Sequence, residues 1–257
     1  MKPSLWIAAL AAASLGIATA QEAEHAPHWG YSGEVGPEHW AEFEADFGAC
    51  SSGRNQSPID LDDFIEAELP PIKFDYKPGG REVVNNGHAI QVNYSPGSSI
   101  AVDFTVFALK QFNFHAPSEN TINGKSFPLE AHFVHADAKL NLAVVALMFE
   151  AGDSNKVLEQ VWPQVPESED DEQPLTPQVA AVDLLQANRD DYRDSGSLTT
   201  PPCSEGVLWL VLKQPAQATS GQLALPGKVI GHPNNRPVQP GSASPAMRSA
   251  EPPEQNA

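Results

Sequence analysis

Two short segments near the middle of the chain carry the side chains best suited to bind a metal ion. One segment, from Gln111 to His115, alternates polar and aromatic residues, and Glu130 and His132 follow after a loop. Successive side chains of a β-strand point to opposite faces, so Gln111, Asn113 and His115 share one face. If the two strands pair antiparallel, His115 and His132 converge. Two imidazoles, a third polar ligand and an open position for water form the donor set of a catalytic zinc site.

The alternation alone leaves a second interpretation of these histidines open. A histidine on a strand is more often a hydrogen-bonded structural residue than a metal ligand. The aromatic residues between the polar ones, Phe112 and Phe114, are predicted to face the core. His135 lies three residues from His132, so on a regular strand it faces away from that site.

The surrounding sequence predicts the sheet that would position these side chains. Turn pairs such as Asn86-Gly87 and Asn123-Gly124 separate apolar or alternating segments. The predicted strands are 89–94, 100–104, 109–115, 130–135, 142–149 and 207–212. The helical signal is limited to residues 154–162, with Ser154 as N-cap, and a short segment at 179–185. The pattern is typical of a mainly β domain with few short helices.

Composition restricts the class of partner. The 257 residues carry a formal charge of −18, with 41% hydrophobic and 19% charged residues, which is an ordinary globular profile. Phosphate backbones are bound by clustered Lys and Arg, so this acidic balance argues against nucleic acid and anionic membrane surfaces. We expect the charge to keep the protein soluble.

Both ends of the chain differ from its body. Residues 1–20 combine Lys2, an apolar run and the small-residue site Ala18-Thr19-Ala20, which predicts a secretory signal peptide cleaved after Ala20. An N-terminal anchor is the alternative. Residues 21–27 form a polar lead, residues 28–240 one domain, and residues 241–257 a tail predicted to be disordered. No later run is long enough to span a bilayer, so the mature chain is expected to be soluble, and the signal peptide predicts that it is periplasmic or secreted.

The cysteine count fits an oxidising compartment. Cys50 and Cys203 are the two cysteines of the chain, and an even, sparse count in an exported protein indicates one disulfide. Two unrelated buried thiols are the alternative. A bridge would close a loop of about 150 residues and stabilise the fold by at most about 5 kcal/mol.

Eight segments, spread in order over nearly the whole mature chain, resemble the α-class carbonic anhydrases of the bacterial exported type. These segments are His28-Trp29-Gly30-Tyr31, Gln56-Ser57-Pro58-Ile59, Asn86-Gly87-His88, residues 111–115, Pro117-Ser118-Glu119-Asn120, residues 130–135, residues 197–203 and residues 235–240. The resemblance implies a large twisted, mostly antiparallel sheet with a conical active-site cleft. It also implies an enzyme, a zinc-dependent lyase that reversibly hydrates carbon dioxide to bicarbonate and a proton, acting as a monomer or homodimer.

The resemblance assigns a role to each matching position. His115, His132 and position 113 correspond to the zinc ligands, and Gln111 and Glu130 to the acceptors that orient them. Thr199 corresponds to the hydroxyl that orients the attacking hydroxide, Glu119 to the carboxylate that orients Thr199, and Thr200 to a neighbour of the substrate. His88 corresponds to the proton shuttle, a role that suits an imidazole, because the unperturbed imidazole pKa is near neutral. The apolar wall for carbon dioxide corresponds to Val134, Val144, Leu198 and Trp209.

One ligand position departs from the family, which expects histidine where this chain has Asn113. An amide oxygen is a harder, weaker donor to zinc than an imidazole nitrogen, and the side chain is shorter. Two interpretations follow. The chain is an enzyme with weakened zinc binding, or a non-catalytic carbonic anhydrase-like protein with an altered or empty site. The retention of Glu119, Thr199 and His88 favours the enzyme; an engineered or erroneous residue 113 is a further alternative.

A secreted β-sandwich module that binds sugars or adheres to surfaces is a third hypothesis, consistent with the β content and acidic surface. The ordered segments argue against it. The C-terminus also departs from the family, because no alternating apolar pattern follows residue 240, where the family continues with a short strand.

Overall fold

The computed structural model describes residues 29–62, 64–240 and 246–249. The predicted signal peptide, polar lead and cleavage site lie outside these residues. The described part is mainly β and contains fifteen strands: β1 Asp60–Leu61, β2 Phe64–Ala67, β3 Lys73–Asp75, β4 Gly80–Asn85, β5 Ile90–Tyr94, β6 Ser99–Val102, β7 Thr105–His115, β8 Thr121–Ile122, β9 Leu129–Ala136, β10 Leu142–Ala151, β11 Asp171–Val179, β12 Asp191–Ser197, β13 Glu205–Leu212, β14 Ala216–Ala218 and β15 Ala246–Ser249.

Helices are few and short, as predicted. The α-helices are α1 Trp40–Phe43, α2 Ala49–Ser52, α3 Lys156–Val161 and α4 Ser220–Ile230. Turns of 3₁₀-helix lie at Gly33–Val35, Ala45–Gly48, Trp162–Gln164 and Ala181–Leu184. Among the described residues, no helix is long and apolar enough to cross a membrane.

One large sheet holds most of the strands, in the order β11-β4-β5-β7-β9-β10-β13-β12-β15-β2, with β3, β6 and β14 joined to its side. Most neighbouring pairs are antiparallel, while β10–β13, β10–β14 and β15–β2 run parallel. The predicted fold class, a single large and mostly antiparallel sheet, is confirmed. The predicted strands match β5, β6, β7, β9, β10 and β13 to within a few residues, although Phe104 lies in the turn between β6 and β7.

The two faces of the sheet bury different side chains. Phe112, Phe114 and Phe133 lie on one face in the larger hydrophobic core, where all three are fully buried. The opposite face carries a smaller apolar cluster that includes Val144 and Trp209. A bulge at Lys110, between Leu109 and Gln111, shifts the alternation of β7 by one residue. The bulge places Leu109 on the same core face as Phe112, and it sets Gln111, Asn113 and His115 on the other face.

Helix α3 begins one residue later than expected. Its N-cap is Asn155, not Ser154, because the Asn155 Oδ1 accepts hydrogen bonds from the backbone N–H groups of Val157 and Leu158. The segment predicted at 179–185 forms a single 3₁₀ turn.

The tail prediction needs a correction at residues 246–249. The sequence predicted no regular structure after residue 240, but Ala246–Ser249 forms strand β15, which lies between β12 and β2. Ala246 and Ser249 are buried there, and the Ser249 hydroxyl accepts from the backbone N–H of Asp191. A four-residue strand held by partners far away in sequence leaves no periodic signal of its own.

Candidate metal centre and active-site cleft

Strand register brings the predicted ligands together. Asn113 on β7 lies directly opposite His132 on β9, and Gln91 on β5 lies opposite Asn113 on its other side. The rings of His115 and His132 are 4.6 Å apart between centroids, and each residue is only 3% exposed. The three side chains line the floor of one cleft of about 210 Å³.

A backbone carbonyl fixes the ring of His115. His115 Nδ1 lies 2.7 Å from the carbonyl oxygen of Asn234, a distance at which the ring N–H donates. That contact leaves Nε2 as the nitrogen available to a metal. Burial lowers the pKa of His115 below its ordinary value, so the ring is neutral, the form that binds metals.

A buried carboxylate fixes the ring of His132 from the opposite side. Its Nε2 lies 2.9 Å from Glu130 Oε1, an ion-pair distance, although the ring N–H is not aligned for a regular hydrogen bond. Glu130 also accepts hydrogen bonds from the backbone N–H groups of Glu119 and Asn120. Burial opposes charge on both groups, but their mutual attraction prevails, raising the pKa of His132 and lowering that of Glu130. The arrangement leaves His132 Nδ1 for a metal.

A second buried carboxylate lies beneath the two histidines. Glu119 Oε1 accepts a 2.8 Å hydrogen bond from the backbone N–H of Arg236, and Oε2 has no hydrogen-bond partner among the described residues. Oε2 lies 3.8 Å from His132 Nδ1, and the residue is 1% exposed. Together His115, Glu119 and His132 place one candidate ligand atom each within 4.8 Å of the others.

The side chain of Asn113 is held by its neighbour on the same strand face. Its Nδ2 donates a 3.1 Å hydrogen bond to Gln111 Oε1. Its Oδ1 is buried and has no hydrogen-bond partner among the described residues. Residue 113, the third predicted ligand, therefore presents a buried amide oxygen instead of an imidazole nitrogen.

The loop after β12 forms another wall of the cleft and carries the predicted hydroxyl groups. Thr199 and Thr200 line the cleft, and Thr199 is 6% exposed. The backbone N–H of Cys203 donates to the Thr200 carbonyl, which tightens the loop. Cys203 is bonded to Cys50, so the predicted disulfide is confirmed. The bridge connects this loop to the aromatic N-terminal cluster around Trp40.

The apolar side chains predicted as a carbon dioxide wall lie together in the cleft. They are Val134, Val144, Leu198 and Trp209. Val144 lies opposite both Val134 and Trp209 in the sheet, so three of the four are direct strand neighbours. The Trp209 ring also contacts His132 edge-on, with 4.9 Å between centroids. The apolar wall thus adjoins the candidate metal position.

His88 lies at the rim of the cleft, where its ring stacks on Trp29 at 3.7 Å between centroids and 7° between planes. The Tyr31 ring lies 6.5 Å from the His88 ring between centroids, and burial raises the pKa of the Tyr31 hydroxyl. His135 faces the opposite side of the sheet, as strand alternation predicted. It is fully buried and its Nε2 lies 2.7 Å from the Tyr76 hydroxyl.

Three residues that contribute to the site had no assigned role in the sequence interpretation. Asn234 accepts from His115 and its Nδ2 donates to the carbonyl groups of His88 and Phe114. Arg236 is 1% exposed and donates to Glu119, Gln56 and the Cys50 carbonyl, while burial lowers its pKa to about 10. Trp29 stacks on His88. Toward His115 and Glu119, the first two use a backbone carbonyl and a backbone N–H, which residue type does not reveal.

The donor set fits a divalent metal ion. His115 Nε2 and His132 Nδ1 are left available by the contacts of the opposite ring nitrogens, and no described residue donates a hydrogen bond to Asn113 Oδ1. Two imidazoles and one oxygen can bind zinc, although more weakly than three imidazoles do.

Comparison with known proteins adds independent evidence. The family model for eukaryotic-type carbonic anhydrases matches residues 35–242. The chain is 45% identical over 240 residues to a carbonic anhydrase of Pectobacterium carotovorum, covering 93% of this chain and 97% of that protein. The α-carbonic anhydrase of Thermovibrio ammonificans, solved with the inhibitor sulfanilamide, superposes with a TM-score of 0.84 at 49% identity, covering 86% of this chain and 98% of that one. A hyperthermostable carbonic anhydrase identified from a hydrothermal vent chimney superposes with a TM-score of 0.85 at 48% identity, covering 87% of this chain and 100% of that one.

Proposed function

This chain belongs to the α-class carbonic anhydrase family, whose enzymes hydrate carbon dioxide, and we propose that its own activity depends on zinc and is weakened by Asn113. The observation that carries this proposal is the geometry of position 113. The amide oxygen of Asn113 lies where the family resemblance predicts a ligand nitrogen, beside two histidines whose metal-facing nitrogens are kept available.

Zinc would be held by His115 Nε2, His132 Nδ1 and Asn113 Oδ1. When bound, it supplies a Lewis acid that makes a water molecule ionise near neutral pH, a magnitude for which carbonic anhydrase is itself the standard example. The oxygen ligand lowers affinity because zinc prefers imidazole nitrogen to a neutral amide oxygen. Even the loss of an outer hydrogen-bond partner of a ligand costs about 10–100-fold in affinity or activity.

Thr199 and Glu119 would orient the attacking oxygen. The Thr199 hydroxyl has one proton to donate, and Glu119 Oε2 is a buried acceptor to which no other described residue donates a hydrogen bond. If Thr199 donates to Glu119, its own lone pairs are left to accept from the nucleophile. Arg236 holds the other oxygen of Glu119, so the carboxylate cannot rotate freely.

The apolar wall would hold carbon dioxide beside that nucleophile. Val134, Val144, Leu198 and Trp209 offer no hydrogen bonds toward the cleft, which suits a small apolar substrate and not an ionic one. Thr200, next to Thr199 in the loop after β12, would accept a hydrogen bond from bicarbonate, or donate one to it, as bicarbonate forms.

His88 would carry the proton out. Its ring lies at the cleft rim on Trp29, and an imidazole titrates near neutral pH, which is the requirement for moving a proton between the site and buffer.

The deciding experiment compares the parent protein with Asn113→His. We expect the variant to retain more zinc after dialysis against a mild chelator and to hydrate carbon dioxide faster, because a third imidazole strengthens the ligand set. Asn113→Gln is the matched control, since it changes size without supplying an imidazole. Zinc content by atomic emission and stopped-flow hydration rates are the two measurements.

Two results would contradict the proposal. Equal zinc content and equal rates in parent and Asn113→His would show that the amide is as good a ligand as histidine. Inactivity of both proteins with zinc bound would favour the alternative, a non-catalytic carbonic anhydrase-like binding or structural protein.

We also propose that the protein is exported to the periplasm or secreted. The support is the N-terminal sequence pattern together with the Cys50–Cys203 disulfide, a bond that persists mainly in oxidising compartments. Mass spectrometry of the protein recovered outside the cytoplasm should show a mature chain that begins at Gln21. A cytoplasmic protein that retains Met1 would contradict this.

A further inference from the structure

The amide of Asn113 has two chemically different ends, and the structure assigns them to different neighbours. Nδ2 donates to Gln111 Oε1 at 3.1 Å, while Oδ1 is buried in the cleft with no hydrogen-bond partner among the described residues. A rotation of the amide by half a turn would place Oδ1 against Gln111 Oε1, and two acceptors repel each other. With Oε1 of Gln111 facing Asn113, as the structure has it, the favoured orientation of the Asn113 amide turns oxygen, and not nitrogen, toward the metal position.

A buried acceptor with an unused lone pair is unfavourable unless something binds it. The surroundings of Asn113 indicate what binds its oxygen. It lies directly opposite His132, and His115 follows two residues later on the same strand face. All three side chains line the cleft. Only a cation or a hydrogen-bond donor satisfies an oxygen, and the two histidines beside it keep their metal-facing nitrogens available.

We propose that Gln111 holds Asn113 as a direct oxygen ligand, and that the resulting set of two nitrogens and one oxygen shifts metal preference from zinc toward manganese(II). This rests on the proposed metal-dependent function but goes beyond it. Imidazole suits zinc, whereas carbonyl oxygen and water suit manganese. Replacing one nitrogen by oxygen therefore weakens zinc binding more than manganese binding.

The test measures metal affinity and not activity. Dissociation constants for Zn²⁺ come from competition with a chromophoric chelator, and those for Mn²⁺ from the electron paramagnetic resonance signal of the free ion. We expect the ratio of zinc to manganese affinity to be at least about 10-fold lower in the parent than in Asn113→His.

Three variants separate direct ligation from an empty position. Asn113→Ala should weaken binding of both metals by about 10-fold or more, because it removes the ligand. Gln111→Leu has no acceptor for Nδ2, so it should weaken binding in the parent. In the Asn113→Ala background it should have no further effect, since Gln111 acts only through the amide. Thermal unfolding of each metal-free variant checks that the fold is retained.

Three outcomes would overturn the proposal. Asn113→Ala could bind both metals as tightly as the parent, Gln111→Leu could weaken binding equally in both backgrounds, or the zinc-to-manganese ratio could be the same in parent and Asn113→His. None of these depends on carbon dioxide hydration. Conversely, a protein that shows the expected metal ratio but no hydration would refute only the proposed enzymatic function.

Discussion

The two faces of strand β7 differ in chemistry within five consecutive residues, with aromatic side chains on the core face and polar ones on the cleft face. Phe112 and Phe114 are fully buried in the larger core and contact other aromatic rings, among them Phe133 and Trp162. Asn113 is half-buried on the cleft face, and its Oδ1 has no hydrogen-bond partner among the described residues. The core face makes its contacts within the protein, while the cleft face carries an acceptor that the described residues leave unsatisfied.

The difference shows why a ligand position can change while the fold is kept. The core face is stabilised by burial of aromatic surface, which depends on volume and shape. The cleft face borders an open volume, so replacing an imidazole by an amide leaves no void in the core. We therefore expect stability and metal chemistry to respond to different residues of the same strand.

The largest effect is expected on the core face. Phe114→Ala should lower the free energy of unfolding by about 3–5 kcal/mol, because it removes a fully buried ring and leaves a cavity. Asn113→Ala, one residue away, is the matched control and should change stability by less than about 1 kcal/mol. Urea denaturation of metal-free protein measures both. Similar losses for the two variants would break the comparison between the faces.

A pH-dependent effect separates two histidines of strand β9. Burial lowers the pKa of His135, on the core face, from 6.5 to about 4, whereas the pKa of His132 on the cleft face is raised. The unfolded chain binds a proton near pH 6.5 that the folded His135 resists until about pH 4. His135 therefore contributes stability above pH 6.5 that is lost as pH falls toward 4, up to about 3 kcal/mol.

His135→Gln tests this, because glutamine does not titrate but can still hydrogen-bond to the Tyr76 hydroxyl. Unfolding free energies at pH 7, 6, 5 and 4 should fall less steeply in the variant than in the parent. Parallel curves would show that His135 is not the source of the acid sensitivity.

A smaller effect is expected at the rim of the cleft. His88→Ala should lower the hydration rate at least about 10-fold in weak buffer, because proton transfer to solvent then lacks its relay. Added imidazole should restore the rate, and stability should be nearly unchanged. The measurement is stopped-flow hydration over a range of buffer concentrations. The same rate in both proteins at every concentration would mean that His88 is not the relay or that the metal step is slower.

The smallest effect on stability is expected at a turn residue that lies on neither face of β7. Phe104 lies in the turn between β6 and β7 with φ of 67°, and its side chain is fully exposed. A left-handed conformation costs an L-residue about 1–2 kcal/mol, and glycine regains most of this at some cost in unfolded-state entropy. Phe104→Gly should therefore raise stability by about 0.5–1 kcal/mol without altering metal binding. A decrease in thermal stability would indicate that the ring has a contact of its own.

Much of the sheet and cleft could be predicted because their signals are local. Alternation located β5, β7 and β9 and placed His115 and Asn113 on one face. The sequence predicted that His115 and His132 converge if their strands pair antiparallel, but it did not predict the register that sets Asn113 against His132, because residues 116–128 and strand β8 separate the two strands. The disulfide followed from the cysteine count and the predicted signal peptide.

Other parts depend on contacts that residue type does not reveal. Helix α4 contains Gly221, Pro226 and Gly227, which hide its helical character, although the capping box of Thr219 and Gln222 was a usable signal. Strand β15 depends on β12 and β2, which lie far from it along the chain. The acceptor for His115 is the backbone carbonyl of Asn234, 119 residues away, and carbonyls are common to every residue.

That long-range dependence determines when the site can be assembled during synthesis. Strands β4, β5, β7 and β9 pair with one another within residues 80–136. The carbonyl that orients His115 belongs to Asn234, and the N–H that holds Glu119 belongs to Arg236. A nascent chain is delivered amino-terminus first, so it can form the centre of the sheet long before those two contacts exist. A product that stops short of residue 234 would keep both histidines and still lack the groups that aim them.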